Sequence, residues 1–277
     1  MQRLTDINYV YSTYTTGENL VLSESSKDVF VNKPILKDKV NEKYRFYKKS
    51  IIFKILSFLF YIFAFIVLYP FNSIFYKVRV KGKKNLKHIK SAVFVSNHIF
   101  MFDCAVLSTH VLKFRRPNFL VEKVTLQMPV VKTLVKLLGG EAIPENNLVA
   151  YKNFLSETDK QLRKNKSLLI YPEGSLWPYY ANIRPLNSGA FRFSIKNNVP
   201  VVPFVISFRC PNKFERFFGR RKPFINVNIL EPIYPNSKAM YKLEEQRMSE
   251  ICYQSMKQTF KNENSYIYID ENLKNEF

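Results

Sequence analysis

SAVFVSNHIFMFDCA, residues 91–105, reads as a strand running into a polar turn and then a helix. Ala92–Val95 is short, apolar and largely β-branched or aromatic, the pattern of a strand. Ser96, Asn97 and His98 break it, and Asp103 stands at the head of the next helical stretch, 103–113. SLLIYPEGSLWPYY, residues 167–180, repeats the arrangement, with an apolar strand giving way to Tyr171, Pro172, Glu173, Gly174 and Ser175.

Working outward, further strands are expected at Val78–Val80, Asn118–Val121, Ser167–Tyr171, Val201–Phe208 and Phe224–Leu230. Helical spacing of apolar residues predicts helices over Met128–Leu138, Leu148–Lys164, Ser188–Asn197 and Met240–Phe260. Strands alternating with helices define an α/β domain with a largely parallel sheet flanked by helices. In such a sheet the ligand crevice lies at the carboxyl ends of strands, where both polar clusters fall. The chain divides into an N-terminal extension (1–50), a hydrophobic segment (51–76) and an α/β domain (77–277). No internal repeat is visible.

The 277 residues carry 43 Lys and Arg against 22 Asp and Glu, a net charge of +21. That excess points to anionic partners: nucleic acid, an anionic membrane surface or phosphorylated molecules. No helix-turn-helix, zinc-ligand or RNA-binding signature accompanies it, so no nucleic-acid partner is expected. Cys104, Cys210 and Cys252 are far apart and odd in number, which argues for a reducing compartment.

Two basic clusters, KYRFYKKS at 43–50 and KVRVKGKKNLKHIK at 77–90, bracket the most apolar stretch, ILSFLFYIFAFIVLY at 55–69. As a helix those fifteen residues cover roughly 22 Å, short of a ~30 Å hydrocarbon core. Pro70 is expected to kink or end it. A buried core helix, a single span and a segment held within one leaflet compete. The absence of a polar stripe disfavours the core helix, and bases at both ends favour the one-leaflet reading. The segment is therefore expected to be a membrane-associating helix.

Of the three histidines, at 88, 98 and 110, His98 alone follows an apolar strand with a carboxylate five residues on. If the chain turns at His98, Asp103 can reach back to the ring; otherwise Asp103 is simply a helix N-cap. The Pro-Glu-Gly loop is open to two readings, a tight turn or a substrate-hydroxyl site. Gly139 and Gly140 in LLGGEAIPEN (137–146) permit close backbone approach.

Asn-His-x4-Asp at 97–103, the glycine loop around 139–146, Tyr-Pro-Glu-Gly-Ser at 171–175 and Val-Pro-Val-Val-Pro at 199–203 resemble, in order and spacing, the four motif blocks of the PlsC-like glycerolipid acyltransferases. The likeness covers roughly residues 78–235. It implies transfer of a fatty acyl group from acyl-CoA or acyl-carrier protein to the free hydroxyl of 1-acylglycerol-3-phosphate, with no metal and no other cofactor. His98 would be the general base and Asp103 would orient it, as the acid does in a Ser-His-Asp triad. Asn97, Gly140, Glu173, Gly174, Ser175, Gly189 and Pro200 would serve the substrates.

The chain departs from the family where arginines commonly end the second and third blocks. Leu176 and Trp177 follow Ser175, and 139–146 has no arginine. Lys123, Arg184 and Arg192 are the candidate replacements for an acceptor phosphate. The departure leaves another lysophospholipid or a glycolipid as the alternative acceptor, and a basic membrane scaffold as the non-enzyme alternative. The expected location is a membrane, with the site on its cytoplasmic face.

Overall fold

The computed structural model describes residues 40, 42–48, 50–121, 129–144, 147–177, 180, 182–209, 211–217 and 223–263. The 1–39 stretch, Lys123 and Cys210 lie outside the described residues.

Helix α1, Ile51–Phe75, runs through Pro70, so of the two effects expected of that proline, a kink or an end, the end is not found there; Tyr76 N–H closes the helix on Asn72 O at 3.1 Å. Strand β1 (Arg79–Lys81) follows, then β2 (Val93–Ser96), every residue of which is buried. Helix α2 (Asp103–Val106) widens at once into a π-helical stretch, Leu107–Leu112, and closes in a 3-10 turn, Lys113–Arg115. Beyond β3 (Asn118–Val121) come α3 (Pro129–Leu138) and β4 (Gly140–Ala142). The segment read as a loop is thus partly a strand. Gly140 has no room for a side chain: a Cβ would lie 2.3 Å from Val135 Cγ1 and against the Phe119 ring.

Helix α4 (Leu148–Arg163) precedes β5 (Leu168–Ile170), and a 3-10 turn at Ser188–Ala190 leads into α5 (Arg192–Asn197). Strand β6 (Val201–Arg209), the short α6 (Lys213–Phe217), β7 (Phe224–Ile229) and α7 (Tyr241–Glu263) complete the described order. Its β-branched and aromatic residues make β6 buried almost throughout.

The sheet has the order β1-β7-β6-β2-β5-β3-β4, parallel at every pair except β6–β7. β2 lies at its centre between β5 and β6, so the loops leaving β2 and β5 emerge side by side at one edge. Both polar clusters of the sequence are brought to that edge.

The residues α1 buries are Ser57, Tyr61 and Asn72, while Phe63, Ile66 and Ile74 are more than 60% exposed. A helix on a water-soluble domain does the opposite. The polar stripe not seen in the sequence exists, at spacings of four and eleven, and it faces inward. Ser57 Oγ donates to Leu137 O at 2.5 Å, Tyr61 OH to Lys113 O, and Asn72 Nδ2 to Thr109 Oγ1 at 3.2 Å. Ser73 Oγ lies 3.0 Å from His110 Nε2.

Candidate active site

The site is assembled where β2 ends. Asn97 is fully buried, its Oδ1 accepting from Ile206 N–H at 2.8 Å and its Nδ2 donating to Ile206 O at 2.9 Å. Both ends of the amide are therefore spent on the backbone of β6. Asn97, expected at the substrate, fixes the strand exit.

The next residue turns outward. His98 Nδ1 lies 2.7 Å from Asp103 Oδ2; the imidazole is 23% exposed and the carboxylate is not exposed. A contact this short assigns the Nδ1 proton to that bond and puts the basic lone pair on Nε2. Asp103 is not the cap of α2: the N-cap is Phe102, which makes no side-chain capping bond. The turn considered in the sequence is the one formed.

Tyr171, last residue before the Pro-Glu-Gly loop, stacks on the His98 ring at a centroid distance of 4.2 Å and an angle of 20°. Burial first, then the Asp103 carboxylate, push its phenol well above the usual range. Cys104 has its thiol pushed up to about 12 by burial and by Asp103, so it carries no thiolate at neutral pH.

Glu173 has no exposed side-chain surface. Its Oε2 accepts from His98 N–H at 3.1 Å and from Arg184 Nη2 at 3.4 Å, and its Oε1 accepts from Arg184 N–H at 3.0 Å. Burial pushes the carboxyl up, while Arg184 and the two backbone N–H groups act against that shift. Trp177 N–H donates to His98 O at 3.0 Å, so the loops after β2 and β5 are tied twice.

Arg184 turns inward too. Nη1 donates to Ser175 Oγ at 3.0 Å, Nη2 to Ser175 O, and the guanidinium lies 4.3 Å from the Trp177 ring. Its fork braces the loop. The sequence offered Arg184 as a phosphate ligand and Glu173 as an acceptor site; the geometry makes them a bracket behind His98.

The remaining candidates differ in placement. Gly174 has φ +86° and nothing within 4 Å of where a Cβ would stand, so it is an open point beside the bracket. Ser175 accepts from Arg184 through both Oγ and its carbonyl. Gly189 donates its N–H to Asn187 Oδ1 at 3.0 Å in a turn tied to Pro172 O through Asn187 N–H. Pro200 is buried, its carbonyl accepting from Val93 N–H at 2.9 Å, and belongs to the sheet. Gly140, packed between α3 and β3, is likewise structural. Tyr171 was missed as a site residue because its stacking on His98 joins two loops with no signal in local spacing.

The largely parallel sheet that carries this His–Asp pair is a fold shared with a solved acyltransferase. PlsC of Thermotoga maritima, a 1-acyl-sn-glycerophosphate acyltransferase, superposes with a TM-score of 0.50 at 15% identity, over 76% of this chain and 95% of that one. Residues 77–207 match the family described as Acyltransferase. Human 1-acyl-sn-glycerol-3-phosphate acyltransferase beta is 27% identical over 195 residues, which is 67% of this chain and 66% of the human protein. The Haemophilus influenzae 1-acyl-sn-glycerol-3-phosphate acyltransferase is 26% identical over 50% of this chain and 57% of its own length. The matched stretches thus span between about half and two thirds of these relatives.

Proposed function

We propose that this protein transfers an acyl group from an acyl thioester, acyl-CoA or acyl-carrier protein, to the free hydroxyl of 1-acylglycerol-3-phosphate. The observation that carries this reading is the His98 Nδ1–Asp103 Oδ2 contact of 2.7 Å, with a partly exposed ring at the sheet edge. The names of the curated relatives support the acceptor. His98 Nε2 takes the proton of the acceptor hydroxyl as its oxygen attacks the thioester carbonyl. Asp103 stabilises the imidazolium, and the collapsing intermediate expels the thiolate, which recovers the proton from His98. The products are phosphatidate and a free thiol, and the cycle asks for no metal.

General-base catalysis contributes about 10²–10⁴-fold, so His98→Ala should lower kcat by at least that factor while the protein stays folded. Undiminished turnover in folded His98→Ala would end the assignment. Purified protein in detergent, given lysophosphatidate, other lysophospholipids and glycolipids with each donor, tests the acceptor; no preference for lysophosphatidate would reject it. One observation favours a different lysophospholipid: Arg184 is committed to Ser175 and Glu173, and Leu176 is buried where the family's third block commonly has arginine.

The reading places the protein at a membrane, on the cytoplasmic side where thioester donors are made. Helix α1 is bonded to the domain from Ser57 to Ser73, about 24 Å at 1.5 Å per residue. A perpendicular span would drag charged domain surface into hydrocarbon. An orientation in the plane of one leaflet, apolar side to lipid, supports the reading better.

A further inference from the structure

Beside the last turns of α1 lies a cavity of about 360 Å³ that the His98 chemistry does not use. Tyr69 and Ser73 of α1 form one wall, and His110 another. Five cations line it: Lys77, Arg79, Lys83, Lys113 and Arg209. Among the described residues that line it there is no carboxylate, and Lys77 is paired at 2.6 Å to Glu215 outside it.

Gathering five cations around so small a volume is unfavourable unless anions join them, and Glu215, beside Lys77 and Arg209, serves only one side of the cluster. Their mutual field is felt by the groups between them. Burial, then Lys83 and Lys113, push the His110 imidazole down to about 4. Burial, then Arg79, lower Arg209 from its ordinary value, while Glu215 acts against them. Two of the lysines, Lys77 and Lys113, are held at positive φ, 40° and 47°, a strained backbone for a residue with a side chain.

The surroundings of the cavity bear on which anion suits it. Ile66 and Ile74, flanking Tyr69 and Ser73 on α1, are 65% and 67% exposed, so an apolar face runs up to the basic mouth. A molecule with a phosphate at one end and acyl chains at the other matches both. At the opposite end of α1 a second cavity, of about 810 Å³, is lined by Phe53 together with Arg45, Lys48, Lys132 and Lys160. The apolar helix is thus basic at both ends, which suits an element lying along one headgroup layer.

We infer that the cavity formed by Lys77, Arg79, Lys83, Lys113 and Arg209 binds the phosphate of an anionic phospholipid of the bilayer, seating the domain on the membrane. This rests on the in-plane reading of α1 and is independent of acyl transfer. β1 starts, and β6 ends, at the sheet edge from which His98 emerges, because β1 and β7 run opposite to β6 and β2. A lipid held there turns the catalytic edge toward the bilayer. The same phosphate chemistry could come from the nucleotide end of acyl-CoA, so the test separates the two sources.

The full chain, moved from detergent into phosphatidylcholine vesicles with and without phosphatidylglycerol, is assayed for vesicle binding as wild type, as Arg79→Gln/Lys83→Gln and as Lys152→Gln/Lys261→Gln. All four positions are exposed, and the last two lie on α4 and α7, outside the cavity. The cavity pair should lose the phosphatidylglycerol-dependent gain by roughly thirtyfold, about fivefold for each cation, and the control pair should keep it. Equal losses in the two pairs would overturn the cavity as a site. Unchanged vesicle binding with a raised KM for acyl-CoA would overturn the lipid and assign the phosphate to the donor. Because vesicle binding is read without turnover, loss of the catalytic reading would leave this result standing.

Discussion

Asp103 gives Oδ2 to His98, and the Tyr171 hydroxyl stands beside the same carboxylate and the Cys104 thiol. The Tyr171 ring lies on His98 and its phenol faces Asp103, so the three side chains form one cluster. A hydroxyl donated to that carboxylate stabilises its charge as the imidazolium forms. Tyr171→Phe keeps the stack and removes the donor. It should lower kcat by about tenfold or more, the worth of a hydrogen bond to a charged group, without lowering thermal stability. Wild-type turnover in that variant would remove the hydroxyl from the mechanism. At this scale the ordered motifs made His98 and Asp103 legible in the sequence. The functions of Asn97 and Glu173 were not, because their partners are 109 and 75 residues away and no local pattern records them.

Elements were legible where periodicity was strong and illegible where packing decided. The six expected strands form, some shifted by a residue, whereas β4 is three residues long and exists because Gly140 lets it lie against β3. The inward stripe of α1 was hidden by its sparseness, for Ser57, Tyr61 and Asn72 are few among apolar neighbours. Its contact with the widened turn after α2 has a pH signature. His110, against Tyr69 and Ser73, is pushed down to about 4 from its ordinary 6.5, by burial first and then by two lysines. Between those values the unfolded chain binds the proton and the folded one resists it. Stability is therefore complete above about 6.5 and is lost as pH falls toward 4. Thermal unfolding in detergent should show a lower Tm at pH 5 than at pH 7, and His110→Gln should flatten part of that fall. An equally steep fall in the variant would assign it to other groups.

Taken as one object, the protein joins its N-terminal segment to the far edge of the sheet through a buried ion pair. Lys136 Nζ bonds Glu141 Oε2, and Glu141 Oε1 accepts from Tyr47 N–H at 2.8 Å. Burial pushes the Glu141 carboxyl up and the Lys136 ammonium down, so each depends on the other to stay charged. Glu141→Gln should destabilise the protein by about 3–5 kcal/mol in chemical denaturation, with much of the loss recovered in Glu141→Leu/Lys136→Met. A change under ~1 kcal/mol in the single variant would contradict that account. Charge excess and an apolar segment were visible from composition, but which side of that segment meets the domain is a property of three-dimensional pairing. That pairing limits what can be cut away: pruning residues 51–75 to obtain a freely soluble catalyst would take Asn72 from Thr109 and Tyr61 from Lys113 O and bare the wall behind them. The trimmed remainder should clump where the intact chain, wrapped in amphiphile, stays dispersed.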